Sequence, residues 1–242
     1  MSESPVSESP VSDPVEVRPF AFMRLTHEAV RYNVARCLAL ARQLCEEPDL
    51  VTASALRERF DELRRAFEVH ARIEDRGFFP LLDAHFGPVC AQAGFGEDHR
   101  HEHGQLAQLA LAIDGVATTR DRSEAETLRD QLLRWAEEVA DHLVREEDVV
   151  MPLAGRVSDT VEGQGAAVRA IIDTDRADVE RILVPWVLRG LDASQPLGPV
   201  RMFVLALRAS HDDDAWARIA PGLRAALSAT TVGALDPLGA LR

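Results

Sequence analysis

One motif that occurs twice constrains the fold of this chain more than any other feature. His70-x-x-x-Glu74 and His142-x-x-x-Glu146 have the same spacing, and each is followed by a second acidic residue and, six residues after the glutamate, by a proline. Residues four apart lie on one face of an α-helix, so each pair places an imidazole beside a carboxylate. Both groups bind metal ions. Two such pairs in one chain can converge on a pair of ions.

A wider repeat connects each motif to an earlier histidine. Forty-three residues separate His27 from His70, and the same number separates His99 from His142. An offset of 72 residues therefore maps the first two predicted helices onto the next two. This repeat predicts a duplicated helical hairpin, with two equivalent sets of ligands around a pseudo-twofold axis.

Apolar residues recur in steps of three and four along four stretches of the chain, which is the pattern of amphipathic helices. Pro48-Asp49 and Gly87-Pro88 interrupt the pattern where loops are expected. Strand signals are nearly absent, since there is one tyrosine and little alternation of β-branched residues. We therefore predict an all-α fold, with an antiparallel four-helix bundle over residues 20–155 and additional C-terminal helices.

Polar residues interrupt the apolar stripes at corresponding places. Every predicted helix of the bundle has a histidine on its inward face, and two helices have a glutamate one turn further on. A buried, unpaired carboxylate costs on the order of several kcal/mol, so two of them require a compensating positive charge. A dinuclear metal centre supplies that charge. The candidate ligands are His27, His70, Glu74, His99, His103, His142 and Glu146.

The order of these residues over roughly residues 20–155 resembles the hemerythrin-like family, also called the HHE cation-binding domain. The resemblance implies a four-helix bundle in which five histidines and two bridging carboxylates hold an oxo- or hydroxo-bridged pair of iron ions. Carried onto this chain, the five histidines are the five candidates named above, and Glu74 and Glu146 are the bridges. Zinc or manganese would use the same donors.

Two assignments stay open at this point. His99 and His103 are four apart and can both face the core, but some members of the family keep only one of the pair. Glu147 also lies at a His-x4-acid spacing and rivals Glu146, although the stripe and the repeat favour Glu146. Asp75 and Glu147 are otherwise expected to be surface charges or acceptors for a histidine N–H.

Composition limits the classes of partner. The net charge is −13, with 40 acidic and 27 basic residues, so no basic field would attract nucleic acid. We find no apolar run long enough for a membrane span and no signal segment, and we expect a cytoplasmic protein. Three cysteines without a Cys-x-x-Cys spacing are typical of reduced thiols.

The ends of the chain differ from the predicted bundle. Residues 1–19 are a near-repeat rich in Ser, Glu and Pro and are predicted to be a disordered tail. Residues 156–230 are predicted to be a helical extension that packs on the bundle or forms a homodimer, and residues 231–242 a flexible tail. The expected helices of the extension cover 160–190, 198–210 and 213–229.

The resemblance implies a protein that binds dioxygen or a related small oxidant, for storage, sensing or delivery. Two other classes use the same residues. One is a di-iron enzyme that scavenges peroxide as a catalase does or that reduces nitric oxide. The other is an interaction module that responds to iron and oxygen.

Overall fold

Four long helices form the first part of the chain in the computed structural model, which describes residues 20–241. They are α1 Ala21–Glu46, α2 Leu50–Ile73, α5 Phe95–Thr119 and α6 Arg122–Val149, and the shorter α3 Phe79–Phe86 and α4 Val89–Ala93 join the two halves. No strand occurs between residues 20 and 241, which confirms the predicted all-α class. The predicted tail over residues 1–19 lies outside the described residues.

The four long helices form a ring in which each packs against two others. α1 contacts α2 and α6, and α5 likewise contacts α2 and α6. Loops of two or three residues join α1 to α2 and α5 to α6, so the two helices of each hairpin run in opposite directions. The 72-residue repeat extends to the loops that precede α2 and α6. Asp49 and Asp121 occupy equivalent positions there and cap these helices by accepting backbone N–H groups.

A π-helical turn, Glu74–Phe78, ends α2 at the first motif. Pro80 follows it, and proline has no N–H to donate and collides with the carbonyl four residues earlier in a regular α-helix. The wider turn accommodates this residue. π turns are also frequent at functional sites. The second motif has no such turn, because α6 stays regular to Val149 and Pro152 lies in the separate helix α7, Met151–Ala154.

Six further α-helices and a second π turn follow α7. They are α8 Val161–Asp173, α9 Arg176–Asp178, a second π turn Val179–Leu183, α10 Val184–Ser194, α11 Leu197–Ala209, α12 Asp213–Ala226 and α13 Ala229–Leu235, with the π turn continuing directly into α10. α10 and α11 pack on α1, the second π turn packs on α2, and α8 packs on the first π turn. Within residues 20–241, no helix is both long enough and apolar enough to cross a membrane.

The extension differs from the sequence-based expectation in two places. The predicted helix 160–190 is interrupted near Asp175. The carboxylates of Asp175 and Asp178 accept hydrogen bonds from Arg72 of α2 at 2.8 and 2.9 Å. The predicted flexible tail from residue 231 instead continues α13 to Leu235. Its apolar side chains explain the difference, because Leu235 and Leu241 are buried.

One close approach of the extension to the bundle depends on Gly190 in α10. A Cβ atom at this position would lie 3.0 Å from Cβ of Ala29 and 3.1 Å from Nδ2 of Asn33. We expect Gly190→Ala to lower the free energy of unfolding by about 1–2 kcal/mol, because overpacking outweighs the gain in helix propensity. Urea denaturation followed by circular dichroism measures the change.

Gly222→Ala in α12 is the matched control, since a Cβ there meets nothing within 4 Å. It should raise the free energy of unfolding by up to about 1 kcal/mol. Equal stability of the two variants would contradict the described contact of α10 with α1.

Candidate metal centre

Six polar side chains from the four long helices meet inside the bundle. None of them is more than 2% exposed. α1, α5 and α6 each supply a histidine, α2 supplies a fourth, and the first π turn and α6 each supply a glutamate. The six are His27, His70, Glu74, His99, His142 and Glu146.

Each glutamate lies between a histidine of its own hairpin and a histidine of the other. Oε2 of Glu74 is 3.3 Å from Nε2 of His70 and 3.5 Å from Nε2 of His99. Oε1 of Glu146 is 3.0 Å from Nε2 of His142, and its Oε2 is 3.4 Å from Nε2 of His27. The two sets of contacts are related by the 72-residue offset, so both glutamates occupy bridging positions in a pseudo-twofold arrangement.

The six side chains form two overlapping groups of possible metal ligands. The first contains His27, His70, Glu74 and Glu146, and the second contains His99, His142 and Glu146. Within each group the ligand atoms lie within 4.8 Å of one another. The groups share Glu146, and Glu74 also approaches His99, so both glutamates lie between the two groups.

Two outer carboxylates orient the imidazoles. Oε1 of Glu147 is 3.0 Å from Nδ1 of His27, and Oδ1 of Asp75 is 2.9 Å from Nδ1 of His99. A carboxylate accepts here, so each Nδ1 carries the proton and each Nε2 faces the centre, which is a common arrangement around metal-binding histidines. Glu147 also pairs with Arg31 at 2.9 Å. The structure therefore puts Glu146 in the cluster and Glu147 behind it.

The seventh candidate ligand, His103, does not join the cluster, because its side chain is exposed. The buried stripe of α5 advances from His99 to Glu102 and then to Leu106, which leaves position 103 on the outer face. Glu102 was not predicted to be a core residue. The apolar register of Phe95, Leu106 and Leu109, with steps of three and four through position 102, could have indicated it.

Burial and charge shift the proton affinities of the cluster strongly. Burial lowers the pKa of His70 well below its usual value, and the other cluster histidines add to this effect. Burial would also lower the pKa of His27, but the hydrogen bond to Glu147 and the charges of Glu74 and Glu146 raise it to about 9. Burial, with the charge of Glu146, raises the pKa of Glu74 to about 7. The cluster therefore attracts positive charge into the core.

The donor set fits a pair of metal ions. Among the described residues, no hydrogen-bond partner is found for Nε2 of His27 or His70, for Oε2 of Glu74, or for either carboxylate oxygen of Glu146. Buried polar atoms normally have partners, so a convergent group of orphaned atoms indicates that something else satisfies them. Imidazole nitrogens and carboxylate oxygens suit iron, manganese or zinc.

Aromatic rings enclose the cluster. The ring of Phe79 stacks on His99 with centroids 5.8 Å apart, and the rings of Phe95 and Phe67 lie 5.9 and 6.3 Å from His142 and His70. All three phenylalanines are buried. Apolar rings therefore flank three of the four histidines of the cluster.

The two histidines of α5 provide a matched pair of variants. We expect His99→Ala to weaken binding of at least one ion by more than about 100-fold, because a direct ligand matters more than an outer partner. His103→Ala should keep the wild-type stoichiometry, since its side chain is exposed. Metal analysis after dialysis, with titration calorimetry, measures both. Equal loss in the two variants would contradict the described site.

The proton affinities predict a pH dependence of metal binding. The pKa of both His27 and His99 is raised to about 9 in the metal-free chain, so both carry an extra proton at neutral pH. A metal ion must displace these protons from Nε2, so affinity should rise with pH up to about 9. Titration calorimetry in buffers of different ionisation enthalpy should show proton release at about pH 7 and little above about pH 9.5. Equal release at both pH values would contradict the assignment.

Comparison with known families agrees with this geometry. A family model described as the hemerythrin HHE cation binding domain matches residues 18–154, which is more than half of the chain and includes the whole cluster. Comparison with curated proteins and with solved structures gave no match. The C-terminal helices lie beyond the matched residues. The duplicated hairpin and the two buried glutamates agree with this match, and the chain belongs to the hemerythrin HHE cation-binding domain family.

Proposed function

We propose that this chain holds two iron ions in the cluster and binds dioxygen reversibly at them. The observation that carries the proposal is the position of the two glutamates, each between histidines of both hairpins. A carboxylate in that position can give one oxygen to each of two ions. Bound iron would supply the electrons for dioxygen binding, and the residues of the chain hold the ions and exclude water.

The charge of the donor set supports a binding function. Four neutral imidazoles and two carboxylates carry a charge of −2, which only partly offsets two divalent ions. Di-iron sites built from four glutamates and two histidines donate more negative charge. A histidine-rich set should stabilise high-valent iron less, and this favours reversible binding of a small oxidant over oxidation of a hydrocarbon substrate.

The number of donors also leaves room for an exogenous ligand. The cluster offers four imidazole nitrogens and, if both glutamates bridge, four carboxylate oxygens. Two six-coordinate ions would need more donors than this, so positions remain for a solvent-derived bridge and for a small molecule. The buried phenylalanines around the cluster restrict that molecule to a small size and favour an uncharged one.

The test is an absorption spectrum of iron-loaded protein as air and argon are exchanged. We expect about two iron ions per chain and a visible band that appears with air and disappears with argon over repeated cycles. The double variant Glu74→Ala/Glu146→Ala should lose the second ion and the band, whereas His103→Ala should keep both. Fewer than about one ion per chain, together with no oxygen-dependent band, would contradict the proposal.

Two other results would favour a different function for the centre. Rapid evolution of oxygen from added peroxide would favour a catalase-like enzyme at the same centre. Irreversible bleaching on the first exposure to air would exclude a reversible carrier.

A further inference from the structure

A cavity of about 300 Å³ lies between α5 and α6 and reaches the cluster at His142. We call it the acidic cleft. Four carboxylates line it, together with His101, His142 and Arg145. The carboxylates are those of Asp98, Glu102, Glu138 and Asp141. Glu138 and Asp141 are exposed, whereas Glu102 is only 3% exposed. The acidic cleft therefore runs from the surface to a buried carboxylate.

Glu102 lies at the inner end of the acidic cleft. Its Oε1 is 3.4 Å from Nδ1 of His142, and Nε2 of the same ring is 3.0 Å from Glu146. Among the described residues, no hydrogen-bond partner is found for Oε2 of Glu102. A buried carboxylate oxygen that lines a cavity without a partner is a position that a cation can occupy in passing.

The charges of the acidic cleft are only partly balanced. Nη2 of Arg145 is 2.6 Å from Oδ2 of Asp98, so these two residues neutralise each other. Glu138 accepts a hydrogen bond from neutral Gln105 at 2.6 Å and lies 3.4 Å from Nε2 of His101. A cleft lined by an excess of one charge raises the local concentration of ions of the opposite charge.

The other hairpin does not repeat the acidic cleft. Seventy-two residues before its lining positions other than His142, every residue is at most 1% exposed and only one carries a hydroxyl group; in order they are Thr26, Ala29, Val30, Ala66, Val69 and Ile73. The C-terminal helices pack on this hairpin, with Gly190 of α10 directly against Ala29. The two hairpins thus have equivalent inner ligands but different outer faces. The outer face of α1 and α2 is apolar and covered, whereas that of α5 and α6 is charged and contains the acidic cleft.

We propose that the acidic cleft is the uptake route by which divalent cations reach the metal centre, with Glu102 as the last carboxylate before His142. The inference rests on the metal centre proposed above and adds how that centre is filled. Carboxylate oxygens suit divalent cations that still carry part of their water shell. Phe79 and Phe67 pack against His99 and His70, so apolar rings flank the cluster at those two histidines.

Loading of the metal-free full-length chain with cobalt(II) tests the route, with the visible absorption of bound cobalt as a stopped-flow signal. Glu138→Gln/Asp141→Asn removes charge at the mouth, and we expect uptake to slow about tenfold while the end point of two ions per chain is kept. Removal of cobalt by a chelator should slow as well, because uptake and release share one path. Added salt should slow the wild type more than this variant.

Two control pairs separate the route from general effects of charge and packing. Glu138→Asp/Asp141→Glu keeps the charge and should load at the wild-type rate. Asp130→Asn/Glu137→Gln removes the same charge from exposed positions of α6 outside the acidic cleft and should also load normally. Glu102→Gln should slow uptake at the inner end of the cleft.

Wild-type uptake of two ions with unchanged rates in Glu138→Gln/Asp141→Asn and in Glu102→Gln would overturn the route and leave the metal centre intact. Equal slowing in the Asp130→Asn/Glu137→Gln control would also overturn it. Failure of the wild type to take up cobalt would overturn the metal centre and the route together.

Discussion

The structure depends on the burial of two carboxylates, Glu74 and Glu146, within one group of side chains in the core. Each is only 1% exposed, and each is surrounded by imidazoles rather than by a fixed cation. Two negative charges in a low-dielectric interior are strongly unfavourable unless positive charge accompanies them. Without metal, protons supply it, which is why the pKa values of His27 and Glu74 are raised. The same residues could hold metal cations in place of those protons, which would balance the charge of the two glutamates.

The duplicated hairpin explains how one chain builds such a site and still gives it access to solvent. Equivalent positions supply the helix caps, the ligands and the outer carboxylates, as the pairs His27–Glu147 and His99–Asp75 show. The outer faces of the hairpins have different surroundings. α10 and α11 cover α1 and exclude water from that side, whereas the groove between α5 and α6 stays open and acidic. The C-terminal helices therefore cover the first hairpin, and the acidic cleft lies on the second.

The sequence carried enough information to predict the helices and most of the cluster, because ligand spacing and apolar periodicity agreed for α1, α2 and α6. On α5 both patterns were taken to include His103, whereas the structure buries Glu102 and exposes His103. The π turn at Glu74 was not predicted, because the extra residue in it shifts the buried stripe by one position, to Phe78 and Leu82. The acidic cleft depends on which face the C-terminal helices cover, and that is a tertiary property without a local sequence signal.

The positions of bound metal ions would test the dinuclear centre most directly. Crystals of the iron-loaded full-length chain, measured with X-rays at the iron absorption edge, should show two anomalous peaks inside the bundle. One peak should lie next to His27 and His70, the other next to His99 and His142, and Glu74 and Glu146 should lie between them. A single peak, or peaks confined to carboxylates at the surface, would contradict a dinuclear centre built on the two buried glutamates.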